Sequence, residues 1–365
     1  YFTTNFYRKT LNSKIPGQFY FIPNPFLMSC FTTYKDFTIK LENIDPNNLW
    51  NEKYSPKEKS ELNNFQWLSS IDRKINASIL REIITLWINE NAKYKSLVWE
   101  TSVISKRIMS WILNADIILK DSNYEFKRNF IESIIIQTNH LKKNYKFETD
   151  HQKKIEIITT LILTGLTFKE YKESLDYGLM ELEKIIENFF DPFGFPLTRN
   201  PDDLLKYTKH FLLVKETIRD AQKFVPEFLE NIIEKNLDCI KKITTPINSL
   251  PLFNGSVDTD LTNFYTYVNH FKIKFKKTKA SSGNIHVIKN KKDIIYFEGG
   301  SPPKKNFSTS YQSGPLSFEY YSDNYKIITN SGFGVNISTK ARLLSRLTPS
   351  QSTLCLNDTS IVGLE

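Results

Sequence analysis

Residues 199–210 read Arg-Asn-Pro-Asp-Asp-Leu-Leu-Lys-Tyr-Thr-Lys-His and bring anion capture and proton transfer close together. Arg199 and Asn200 stand at a loop-to-helix junction, where a guanidinium and the first helical N–H groups can receive a carboxylate. Their structural alternative is that Asn200 caps the helix and Pro201 fills its first position. Asp203, Tyr207 and His210 follow at i, i+4 and i+7, on one helical face. Tyr207 and His210 would then form an acid/base pair. The alternative is a polar face beside the Leu204, Thr208 and Phe211 stripe. Asp202 and Asp203 are adjacent and point about 100° apart on a helix, a poor geometry for a two-carboxylate hydrolase.

The elements that must position these residues follow from hydrophobic periodicity. From Phe65 to about Thr244, apolar residues recur at helical spacing. The stripes are Ile79/Ile83/Trp87, Ile104/Ile108/Ile112, Ile131/Ile134/Ile135, Ile155/Ile158/Ile162, Leu175/Leu179/Leu182/Ile186, Leu204/Thr208/Phe211 and Phe228/Ile232/Ile233. Short links between successive amphipathic helices predict antiparallel neighbours in a helical array, and the wide stripes predict packing on both sides. Residues 1–60 carry Pro16, Pro23, Pro25, Pro46 and Pro56 among aromatics and read as an irregular arm, with a short strand at 37–41. From about Asn263 the period becomes two. FKIKFK (271–276), DIIYFE (293–298), LSFEYY (316–321) and YKIITN (325–330) read as strands separated by turn residues. The fold class is α+β and multidomain: an arm over 1–60, a helical domain over 61–250 and an antiparallel β-domain over 251–365.

Composition narrows the function. The chain has 365 residues, 40% hydrophobic and 14% aromatic, which supplies a sizeable core and excludes wholesale disorder. Net charge is 49 − 40 = +9, yet the chain is rich in Lys, Ile and Asn throughout, a compositional drift that raises the charge without making a site, and no block marks a nucleic-acid arm. Cys30, Cys239 and Cys355 lie far apart, which excludes a zinc knuckle or a disulfide framework but not a single bridge. No apolar run is long enough for a membrane span. Walker A, GxGxxG, HExxH and GxSxG sequences are all absent, which removes nucleotide kinases, Rossmann dehydrogenases, zincins and common hydrolases.

An ordered series of segments carries a resemblance. FQWLSSI (65–71), Trp99 and SKRIMSWILNADIIL (105–119) precede DPFGFPLTRNP (191–201) and LPLFNG (250–255). IIYFEGGSPP (294–303), SGPLSFEYYS (313–322) and a Thr348-x-x-Gln351-Ser-Thr-Leu stretch complete it. The series resembles the heparinase II/III-like family of bacterial polysaccharide lyases. The resemblance implies an incomplete α/α toroid followed by an antiparallel β-sandwich that continues past residue 365, and β-elimination on uronic-acid-containing polysaccharide. That reaction needs hydrogen bonds to neutralise the uronate carboxylate, a base for the C5 proton and an acid for the departing oxygen. The implied partner is an acidic polysaccharide, with no nucleic acid and no cofactor, and the implied location is the periplasm or cell envelope. Oligomeric state is not implied.

Departures from the family pattern fall at its chemical positions. Asp203 and Leu204 stand where the family has Tyr and His. Ser310, Gln312 and Gly314 stand at the His, His and Asp places ahead of LSFE, and Gln351 replaces the His of a later element. Glutamine hydrogen-bonds a sugar but neither transfers protons near neutral pH nor holds zinc well, so no metal is expected. The neutralising Asn-His pair maps to Gln152 and Lys153, with Asp150 and His151 one or two residues off register. The candidate catalytic residues are Tyr207, His210 and His151; the candidate substrate contacts are Arg199, Asn200, Asn254, Gln312 and Gln351. Asn254 is a turn residue by default and a sugar contact if its turn lines the cleft. Arg107 is expected to brace an internal carboxylate, and His140, His270 and His286 match no family position. The second reading is a lyase scaffold that has lost its reactive groups and binds or helps assemble an envelope glycan.

Overall fold

The computed structural model describes residues 1–31, 45–51, 54–276, 282–357 and 359–363. The strand expected at 37–41 lies outside the described residues. In chain order the helices are α1 (Asn5–Leu11), α2 (Pro46–Asn51), α3 (Pro56–Asn63), α4 (Ala77–Asn91), α5 (Thr101–Leu113), α6 (Ala115–Ile118) and α7 (Tyr124–Asn144). They continue as α8 (His151–Thr167), α9 (Lys172–Phe189), α10 (Pro201–Asp220), α11 (Glu227–Ile243), α12 (Thr262–His270) and α13 (Thr339–Leu344). The strands are β1 (Ile285–Lys289), β2 (Asp293–Glu298), β3 (Phe318–Ser322) and β4 (Tyr325–Ile328). The chain forms two compact units, Tyr1–Leu182 with Leu212–Val225, and Glu183–Phe211 with Pro226–Glu365.

Each of the seven apolar stripes lies in a helix, α4, α5 and α7 through α11. Short polar side chains start several of them. Asn76, Glu100, Asn123 and Asp150 accept main-chain N–H groups at the first turns of α4, α5, α7 and α8. The N-terminal arm is more ordered than its prolines suggest. Pro56 opens α3 behind a Ser55–Glu58 capping box, and Pro46 opens α2, because a first-turn residue has no helical partner for its N–H to lose.

In the first unit α5 and α8 run parallel: Glu100 pairs with Lys153 at 2.6 Å, Lys106 with Glu156 at 3.5 Å, and Thr160 donates to the Ser105 carbonyl at 3.3 Å. Residues 155–167 of α8 are buried throughout. Gly165 lets α9 approach, since a Cβ there would lie 2.4 Å from the Leu175 nitrogen. Trp87 and Trp111 meet edge to face at 5.3 Å, with Phe65 against both, and form an aromatic core. Arg107 is wholly buried beside it. Among the described residues it braces no carboxylate, contrary to expectation: its nitrogens donate to Gln137 Oε1 at 2.7 Å and to the Asn63 and Val98 carbonyls at 2.7 and 3.1 Å. The guanidinium also lies 4.2 Å from the Trp87 ring centroid.

Helix α1 docks on α7 through Tyr7, whose hydroxyl lies 2.6 Å from His140 Nδ1. Burial, with the Arg107 charge nearby, pushes His140 down to about 4. A histidine depressed from its usual value near 6.5 binds a proton more readily when unfolded, so stability is intact above that value and falls as pH drops toward 4. The full loss corresponds to roughly 3 kcal/mol. Urea midpoints between pH 4 and 7 should fall on acidification, and His140→Gln should remove much of that slope. An unchanged slope would rule out this histidine as its source.

The sheet of the second unit is an antiparallel meander in the order β1-β2-β3-β4, with Ile285 opposite Glu298 and Asp293 opposite Ser322. Asp323 and Asn324 make the tight β3–β4 turn, both with left-handed φ, at 47° and 68°. Tyr296, Glu298, Glu319 and Tyr321 share the buried face. The strand expected at 271–276 does not form. Phe264, Tyr267 and Val268 bury one face of α12, and the chain then turns at Phe271–Lys272. Residues 273–276 still alternate in burial, but Phe275 packs on the Tyr265 ring and under Lys241 instead of facing a strand partner. None of the three cysteines forms a disulfide.

Candidate functional site

The segment leading to Arg199 is a tight hairpin. The Asp191 carboxylate accepts the Phe193 and Phe195 N–H groups at 2.9 Å each, and Phe190 bridges to Pro196. Arg199 leaves it with a left-handed φ of 57°, its N–H on the Pro196 carbonyl, and α10 begins two residues later. Asn200 caps α10 by accepting the Asp202 N–H at 2.9 Å, and Pro201 is the first helical residue. That is the structural role sequence offered for both.

Arg199 turns inward. Its side chain forms an ion pair with Glu298 at the end of β2 and donates to the Ser301 carbonyl, with Nε 3.4 Å from the Gly283 carbonyl. Arg199 is 8% exposed and Glu298 1%. Gly300 closes over the guanidinium, where a Cβ would meet Nη2, so a larger residue here would require the Arg199 side chain to shift. Glu298 also accepts the Gly300 N–H at 3.0 Å, which fixes that loop. Burial lowers the Arg199 pKa, while Tyr311 beside it favours the charge.

Four of the five substrate-contact candidates belong to one hydrogen-bonded chain. Asn254 Nδ2 donates to the Arg199 carbonyl at 3.1 Å, and the N–H of the next residue, Gly255, donates to Gln312 Oε1 at 2.9 Å. Gln312 Nε2 donates to the Gly332 and Ser345 carbonyls at 2.8 and 2.7 Å, and Gln351 Nε2 reaches that same Ser345 carbonyl at 2.7 Å. Asn200, the fifth, is bonded to its own helix. The donor set at the family's metal positions does not fit a metal, because Ser310, Gln312 and Gly314 offer no carboxylate or imidazole and the amide is engaged with main chain.

Tyr207 and His210 lie one turn apart on α10, 2% and 3% exposed, with Tyr207 against the Phe190 ring. Asp202 pairs with Lys206 at 2.8 Å. His151 belongs to the first unit, as the first residue of α8, and is half-buried. Burial lowers its pKa, opposed by Asp150 and aided by Lys154.

The first unit holds a cavity of about 290 Å³ whose lining includes Phe31, Lys57, Asn64, Gln66, Trp67 and Lys106. Trp67 spends its indole N–H on the Leu62 carbonyl, at 3.1 Å. Glu156 holds the Lys106 ammonium at 3.5 Å and also accepts from Gln152 Nε2 at 3.1 Å. Gln152, at the place of the expected neutraliser, is therefore one carboxylate away from this cavity. The lining thus offers an aromatic ring, amides and two ammonium groups beside one carboxylate, Glu61, a set that can meet a sugar bearing an anionic group. Sequence reading missed this cavity and also Glu298. The signal for Glu298 was its spacing of two from Tyr296 in an alternating strand, which puts both on the buried face. Among the described residues no helix is long and apolar enough to cross a membrane.

Comparison with known proteins places this geometry. Residues 67–281 match the family described as heparinase II/III N-terminus, and residues 274–363 match heparinase II/III-like, C-terminal. No curated protein matches the chain by sequence. A crystal structure of heparinase III superposes with a TM-score of 0.67 at 16% identity, over 90% of this chain and 58% of that one. Heparan sulfate lyase HepC from Pedobacter heparinus superposes at 0.60 and 16%, over 99% and 61%. The chain thus spans about six-tenths of the length of these proteins and shares their fold, a helical toroid followed by an antiparallel β domain.

Proposed function

Because the chain belongs to the heparinase II/III family, we propose that it acts on an uronic-acid-containing polysaccharide by β-elimination, in the periplasm or cell envelope. The helical-unit cavity carries this reading: its Lys106 ammonium, steadied by Glu156 and Gln152, is built to meet a sugar carboxylate. The names of the similar structures, heparinase III and heparan sulfate lyase, agree with an acidic glycan as substrate. Lys106 would neutralise the uronate and so acidify the C5 proton. His151 would take that proton, since burial favours its neutral imidazole and it stays half-exposed, whereas Tyr207 and His210 are closed off.

The test supplies heparan-type, chondroitin-type, alginate and bacterial envelope glycans and follows the unsaturated product in the near ultraviolet. Turnover is expected on at least one polymer, rising with pH to a plateau as His151 loses its proton below the usual histidine value. His151→Ala should lower it about 10²–10⁴-fold. Absence of product from every polymer would count against the lyase reading, and unchanged His151→Ala activity would remove that residue from it. One observation favours the alternative of a glycan-binding scaffold without turnover: Gln312 stands at a reactive family position, and its oxygen and both amide hydrogens bond to main chain.

A further inference from the structure

The second unit contains a cavity of about 480 Å³ that the reading above does not use. Its lining includes Lys305, Ser308, Tyr311, Arg342 and Arg346, and none of its described lining residues is acidic. Arg346 is locked in place, with Nε donating to the Tyr311 carbonyl at 3.0 Å and Nη2 to the Ser308 carbonyl at 3.4 Å. Arg342 lies close enough for its charge to oppose that of Arg346, and it rests 5.8 Å from the Phe333 ring centroid. Two like charges held together on one wall cost free energy that an anion would recover. Tyr311 contributes its carbonyl to this wall, while its side chain is buried behind it beside Arg199.

We propose that this cavity is a second glycan subsite, in which Arg342 and Arg346 take a sulfate or carboxylate substituent. The inference rests on the proposed function only for the ligand being an acidic glycan. Arginine suits the task because its planar fork matches both oxyanions.

Calorimetric titration of the whole protein with heparan sulfate oligosaccharide, its desulfated counterpart and inorganic sulfate tests this. Arg342→Gln should weaken oligosaccharide binding about tenfold, as befits one charge-assisted contact. Arg346→Gln should weaken it to a similar extent, with folding checked by an unchanged circular dichroism spectrum. Lys289→Glu with Lys291→Glu, on exposed positions, is the control for diffuse charge. Binding within twofold of wild type in both Arg342→Gln and Arg346→Gln overturns the proposal. So does equal weakening by the control pair, or binding of inorganic sulfate as tight as that of the oligosaccharide. Better retention of the desulfated oligosaccharide by Arg342→Gln assigns the cavity to sulfate; equal weakening of both assigns it to carboxylate. Glycan binding lost in these variants while wild type gives no unsaturated product would leave the subsite standing and the lyase reading refuted. Turnover with an unchanged KM in both variants would do the reverse.

Discussion

Glu298→Gln should destabilise the protein by about 3–5 kcal/mol, the cost of removing one partner from a buried ion pair. Substitution leaves the Arg199 charge with the Ser301 and Gly283 carbonyls and no counter-ion, beneath the Gly300 backbone that packs against it. Urea unfolding should show a lower midpoint with an unchanged slope, since the surface exposed on unfolding is the same. A paired replacement, Arg199→Met with Glu298→Leu, should recover most of the loss, because an apolar pair of similar volume needs no solvation. A Glu298→Gln protein within 1 kcal/mol of wild type would mean that the guanidinium can reach water, and would return Arg199 to the role of glycan contact.

The second large effect is expected at Arg107. Truncation to alanine removes a fully buried side chain, strands Gln137 Oε1 and the Asn63 and Val98 carbonyls, and uncovers the Trp87 face. Unsatisfied buried acceptors cost about 1–3 kcal/mol each, and the cavity adds to this, so a loss of at least about 4 kcal/mol follows. Arg107→Lys should retain part of the stability, because an ammonium can follow only some of a planar fork's directions. Near-ultraviolet circular dichroism of Trp87 and Trp111 during denaturation reports on this core directly. Near-native stability of the alanine variant would show that water replaces the guanidinium there.

The helical array was legible because its signal is local. An isoleucine stripe such as Ile155/Ile158/Ile162 needs no knowledge of its neighbour to declare a buried face. The strands at Asp293–Glu298 and Phe318–Ser322 were legible for the same reason. Where local pattern and tertiary partner disagree, the partner decides. FKIKFK alternates as a strand would, yet it follows a helix and finds aromatic and lysine side chains instead of a ladder. At the candidate site the sequence placed Arg199, Asn254, Gln312 and Gln351 on a short list, and they do form one network. It did not tell whether their polar atoms face a ligand or one another. That depends on Glu298, 99 positions from Arg199, and on main-chain carbonyls that carry no sequence signature.

The valence of Gln312 has a consequence for any attempt to install reactivity at its position. A carboxamide offers an acceptor oxygen with two lone pairs and two N–H donors; here the oxygen takes one N–H and the two donors reach two carbonyls. A neutral imidazole has a single donor and a single acceptor, and its protonated form has no acceptor at all. Neither state of a grafted histidine reproduces the glutamine's three bonds. Gain of a titrating ring here would therefore be bought with an orphaned peptide group, and a designer would have to remodel the 332 and 345 loops before the chemistry.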